Sequence, residues 1–136
     1  MLKPEPNDII IISLHENHAW QIIQEGYFIT ADGKKYEFDF SENYQKLPIE
    51  EIFKLPQING TQHLNDTNIA KIIDNIGKIP ESIKFNIHTH GCDIGQTTIF
   101  AVKKTKSGTH VIEIGSTGDD CRIPDEPHAK TIFNMF

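Results

Sequence analysis

Arginine is nearly absent from this chain. Arg122 is the only one among thirteen basic residues, and nineteen acidic residues leave a formal charge of -6. A surface that reads phosphates bidentately is therefore poorly supplied, which argues against nucleic acid as a partner. Long apolar runs are also missing. No stretch approaches the roughly 20 residues that a membrane-spanning helix needs, so no membrane association is expected. Two cysteines, Cys92 and Cys121, are too few for a disulfide scaffold, and a reduced pair in the cytoplasm is the expectation. The N-terminal residues Met1 to Asp8 lack the basic start and long apolar stretch of a secretory signal, which points to the same compartment. Leucine and valine are scarce as well, at five and two residues against 23 isoleucines, a skew that favours β-structure wherever spacing allows it.

What is present amounts to one domain, residues 1–136. The length of 136 residues suffices to bury roughly two thirds of the unfolded surface but not to form two cores. With 38% hydrophobic and 24% charged residues, the composition is that of a globular chain.

Periodicity divides the chain into elements. Asp8 to Leu14 is a short β-branched run and reads as a strand buried on both faces. Tyr27 to Thr30 and Tyr36 to Ser41 form a hairpin around the turn Ala31 to Lys34. In its second strand, Tyr36, Phe38 and Phe40 occupy one face and Glu37 and Asp39 the other. Pro48 opens a short helix, Ile49 to Leu55, with Glu50 and Glu51 in its first turn. Ile69, Ile72, Ile73 and Ile76 fall at i, i+3, i+4 and i+7, so a helix starts from a cap at Asp66 or Thr67 and is expected to end at Gly77, ahead of Pro80. Ile83 to His88 alternates as a strand. Thr97 to Lys103 and Thr109 to Ile114 form a second hairpin across Lys104 to Gly108. Gly115 to Glu126 reads as a polar connection to a terminal helix with Pro127 near its start. The fold expected is α+β: a single domain with a largely antiparallel sheet of about six strands and about three helices.

Chemistry is most concentrated at Ile87 to Asp93. On a strand His88 and His90 share a face about 7 Å apart, a spacing from which two imidazoles converge on one ion. Cys92, Asp93, His110 or Cys121 would complete a tetrahedral site. His88, Thr89 and His90 resemble the H-[ST]-H of JAMM-type zinc peptidases, in which a serine and then an aspartate ligand follow at fixed distances. The corresponding positions here are Thr98 and Ala101, so the aspartate is missing. Zinc held by His88, His90 and Cys92 is therefore an alternative reading, that of a metal-binding protein or metal-dependent hydrolase. The blander reading makes both histidines half-exposed strand residues and requires no cofactor. Neither a G-x-S-x-G elbow around a nucleophile nor a Walker lysine after Gly115 to Gly118 is present, and no catalytic residue is assigned. Trp20, the single tryptophan, reads as a core anchor beside the first hairpin.

The acidic residues fall into two groups along the chain. Glu37, Asp39, Glu42, Glu50 and Glu51 surround the first hairpin, while Asp119, Asp120, Asp125 and Glu126 precede the last helix. Either group is a solvated face or a surface that steers a basic partner. In size, acidity and lack of a catalytic motif the chain resembles the immunity proteins that neutralise bacterial toxins. That resemblance implies a cytoplasmic inhibitory module whose partner is a basic protein, a nuclease toxin domain included.

Overall fold

A computed structural model describes residues 1–17, 23–41, 48–89 and 95–136. Its elements in chain order are β1 (Ile9–Asn17), β2 (Ile23–Thr30), β3 (Lys34–Asp39), a 3₁₀ helix (Ile49–Lys54), β4 (Thr61–Gln62), α1 (Asp66–Lys78), β5 (Phe85–Thr89), β6 (Gln96–Thr105), β7 (Gly108–Gly118), β8 (Asp120–Pro124) and α2 (Pro127–Phe133). All eight strands join one antiparallel sheet in the order β4-β3-β2-β1-β6-β7-β8-β5. The mixed class with a mostly antiparallel sheet is as expected, whereas the strand count exceeds the six read from periodicity. The two additional strands are β4, two residues long, and β8, which lies within the stretch read as a polar connection. Neither has the length or alternation that would mark it locally; their partners β3 and β5 make them strands.

The sheet is covered on both faces, which is why β1 is apolar on both. On one side Ile11, Ile29, Ile99, Ala101 and Ile114 pack against Ile69, Ile72, Ile76 and Ile79 from α1 and its C-cap and against Ala129 and Ile132 of α2. On the other side Ile9, Ile12, Phe28, Tyr36, Phe38 and Val102 pack around Ile52 of the 3₁₀ helix. A bulge in β1 reconciles the two. Ile9 stands opposite Thr30 and Ile11 opposite Ile29, so Ile10 is an extra residue, and Ile10 and Ile11 join the same cluster despite being neighbours.

Helix ends differ by small amounts from those read in the sequence. The cap of α1 is Asn65, whose side chain accepts from the Asn68 N–H at 2.9 Å. The helix does not stop at Gly77. It continues to Lys78 because Ile79 is buried in the core and, preceding Pro80, adopts an extended backbone with ψ 128°. Gly77 is thus an exposed helix-interior glycine, and a Cβ there would meet only Met1 Sδ at 3.7 Å, ordinary contact. Gly77→Ala is expected to stabilise the protein by about 0.5–1 kcal/mol in denaturant unfolding, since it relieves the cost of a helical glycine. The second hairpin is tighter than expected, with Thr105 paired to Gly108 across Lys106 and Ser107.

Candidate functional site: the acidic end of the sheet

Antiparallel order decides which residues meet. β1, β3, β5 and β7 finish, and β2, β6 and β8 begin, at one end of the sheet. The described residues at that end are 15–17, 23–26, 37–41, 88–89, 95–98 and 116–121, and they contain Glu16, Glu25, Glu37, Asp39, Asp119 and Asp120 but no lysine or arginine. Lys34, Lys35, Lys84, Lys103, Lys104 and Lys106 lie toward the opposite end. The small net charge of the whole chain therefore hides a polarity along the strands.

One cross-strand row organises this end. Asp39 stands opposite Glu25, Glu25 opposite His15, His15 opposite Thr97 and Thr97 opposite Thr117. Beyond β7, the Ser116–Arg122 pair sets Cys121 next along from Thr117, and Cys121 pairs with His88. The row continues the face covered by α1 and α2, since side chains two residues apart on a strand share a face and Tyr27 packs against the helix-side cluster. Two carboxylates, two imidazoles, two hydroxyls and a thiol are thereby aligned across seven strands. Glu25, Asp39, Thr117 and His88 are exposed; His15, Thr97 and Cys121 are half-buried.

The side chains are held in different ways. His15 Nδ1 lies 2.9 Å from Thr97 Oγ1. The Ser41 hydroxyl and then the Ser41 backbone N–H, 2.8 Å from Asp39 Oδ1, hold the Asp39 carboxyl below its ordinary range, so it stays charged in the exposed row. Burial pushes the Tyr27 phenol up, opposed by a hydrogen bond from Ser13, so Tyr27 adds a neutral wall to the site. Lys35 lies 4.4 Å from the Tyr27 ring centre and 3.8 Å from Glu37, whose side chain is 81% exposed, and a pair that open to water attracts weakly. Ser13, His15, Glu25, Tyr27, Glu37 and Asp39 border a shallow cavity of about 580 Å³.

The two acidic groups read along the chain are divided differently in space. Glu37 and Asp39 belong to the acidic end, whereas Glu50 and Glu51 ride on the 3₁₀ helix over the other face, where Glu51 pairs with Lys54 at 3.2 Å. Asp119 and Asp120 join Glu37 and Asp39 at the same end. Asp119 accepts the Gly95 N–H at 3.0 Å and Asp120 the Thr89 hydroxyl at 3.1 Å. Asp125 and Glu126 stand at the far end of β8, and Glu126 caps α2 through the Ala129 N–H at 2.6 Å. Glu42, His90, Cys92 and Trp20 lie outside the described residues. Of the zinc set, His88 is therefore the member that the structure places, and among the described residues no three His, Cys, Asp or Glu side chains are grouped to hold a metal. Glu16, Glu25 and His15 were not singled out from sequence. Gln24 is buried although polar, so no hydrophobic alternation in the sequence marks Glu25 beside it.

Compared with protein-family models, with curated proteins and with solved structures, the chain matches none. Among the described residues no helix is long and apolar enough to cross a membrane. The functional reading therefore rests on the site itself.

Proposed function

We propose that this chain is a small cytoplasmic protein-binding module whose acidic sheet end docks a basic protein, and that it acts as an inhibitor in the manner of the immunity proteins that neutralise bacterial toxin domains. The observation that carries this reading is the charge polarity: among the described residues, one end of the strands holds six carboxylates and no lysine or arginine, whereas toward the other end six lysines are mixed with Asp8, Asp32 and Asp125. Such a field orients a basic partner before contact and raises the association rate more than the final affinity. At Glu25 the backbone is held on both sides, by His15 of β1 and Asp39 of β3, so little ordering is required there on binding.

The test is binding to the basic product of a gene neighbouring that of this chain, followed by kinetics at two salt concentrations. Neutralising the exposed carboxylates of β2 and β3 at this end with Glu25→Gln, Glu37→Gln and Asp39→Asn is expected to slow association about tenfold at low salt and to flatten its salt dependence. Glu50→Gln with Glu51→Gln, on the opposite face, is expected to change it little. Failure to bind any such basic product at low salt, or loss of binding on changing Glu50 and Glu51 but not the row, overturns the proposal.

A further inference from the structure

One cavity of about 1210 Å³ is bordered by both faces of the sheet. On the 3₁₀-helix face its walls are Phe53, Phe100 and Val111, and on the α1 face they are Ile79 and Ile112. A single void touches both faces of a sheet only where it passes round an open edge, and that edge is the first part of β7. Among the described residues β8 pairs with β7 at Ser116–Arg122 alone, so Gly108 to Ile114 have no strand beside them on that side. The open stretch also lacks the devices that ordinarily blunt an edge. Thr109 to Ile114 contain no lysine or proline, and the Glu113 carboxylate is drawn to Arg122 at 3.3 Å.

Antiparallel alternation decides what this edge offers. The tight turn over Lys106 and Ser107 makes Thr105–Gly108 a hydrogen-bonded pair, so Thr109 and Val111 direct their N–H and C=O groups away from β6 and toward the void. A peptide extended along the edge would take up those groups and send successive side chains to opposite faces, one onto Phe53 and Phe100, the next onto Ile79 and Ile112. Charge favours cations beside that apolar pair. Glu50 and Glu81 are exposed on the cavity walls and make no ion pair among the described residues, whereas Lys103 Nζ donates to the Ile79 carbonyl at 2.9 Å and Lys104 pairs with Asp8 at 3.1 Å. We infer that the open edge of β7 binds an extended peptide, two adjacent apolar residues flanked by lysine or arginine, as an added strand of the sheet. This site does not rest on the docking reading, since it uses the backbone of β7 and none of the six carboxylates of the acidic end.

The experiment is a fluorescence-anisotropy titration of the labelled peptide KTVIVTK with the full chain, repeated with the peptides KTVPVTK and ETVIVTE. The expected result is saturable binding of KTVIVTK and affinity about fivefold or more weaker for KTVPVTK, which lacks a central ladder donor. Binding of ETVIVTE is expected to be weaker by about the same factor, because its end charges meet Glu50 and Glu81. On the protein side Val111→Pro removes an outward N–H at an edge position, where proline is tolerated, and should weaken KTVIVTK about fivefold or more. The peptide series carries the test even if that chain does not fold. Changing Glu25, Glu37 and Asp39 together to their amides, about a Debye length or more from the site, should leave peptide affinity within about twofold. Absence of saturable binding, equal affinity for KTVIVTK and KTVPVTK, tighter binding of ETVIVTE, or unchanged affinity in Val111→Pro overturns the assignment. Loss of the peptide in the triple amide chain but not in Val111→Pro also overturns it, and places the peptide at the acidic end instead.

Discussion

Gly26→Ala is expected to cost about 3 kcal/mol, the upper part of the range for forcing extra atoms into a packed site. Gly26 lies on β2 between Leu14 of β1 and Phe38 of β3. A Cβ built there would stand 1.9 Å from the Ser13 carbonyl oxygen and 2.9 Å from its carbon. Both are backbone atoms, so no rotamer change relieves the clash; β1 and β2 must separate. In urea, where a domain of this size loses roughly 1–3 kcal/mol of stability per molar, the unfolding midpoint should fall by about 1–3 M. The same movement would displace Glu25 and His15, which flank the contact, so any binding by the acidic row should weaken together with stability. A midpoint within about 0.2 M of the parent would show that the strands separate without cost, and would remove the close approach of β1 and β2 as a reason for glycine at this position. Gly77 makes the useful contrast, because the same chemical change at an open helix position has the opposite expected sign.

Glycine at 26 also illustrates what a sequence can and cannot disclose. The hairpin of β2 and β3 was legible because Tyr36, Phe38 and Phe40 alternate with charged residues, and from it came Glu37 and Asp39 on the polar face. Helix α1 was legible for the same kind of reason, four isoleucines at helical spacing. The rest of the site depends on which strands become neighbours. β1 pairs with β6 across a gap of some eighty residues, and that pairing sets His15 beside Thr97. No local period encodes it. Likewise Asp119 and Asp120 are close in the chain to Asp125 and Glu126, but β8 runs between them and sets the pairs at opposite ends of a strand. Chain proximity was a poor guide here because an extended strand moves residues apart by about 3.3 Å each, while pairing brings strands remote in sequence to within about 5 Å.

The second large effect is expected at Ile72. Its side chain is fully buried on α1, within the helix-side core that the helix shares with the sheet and with Ala129 and Ile132 of α2. Ile72→Ala should cost about 2–5 kcal/mol, comprising the lost transfer of the removed carbons and the cavity they leave. Against a total stability of roughly 5–15 kcal/mol this is a large share, and the thermal midpoint should drop by about 10 °C or more. Ile73, one residue on and only half-buried, should cost markedly less when truncated in the same way, because its pocket is already open to water. The comparison tests whether the helix is held by its buried stripe or by its intrinsic propensity, since the two substitutions change propensity equally and differ only in burial. Equal losses at the two positions would mean that α1 does not pack through Ile69, Ile72 and Ile76. Unequal losses also bear on the acidic end. The sheet is shared by both core clusters, so weakening the helix-side core should lower a single cooperative transition seen alike by backbone and aromatic signals, leaving the row of Asp39, Glu25 and His15 intact below that transition.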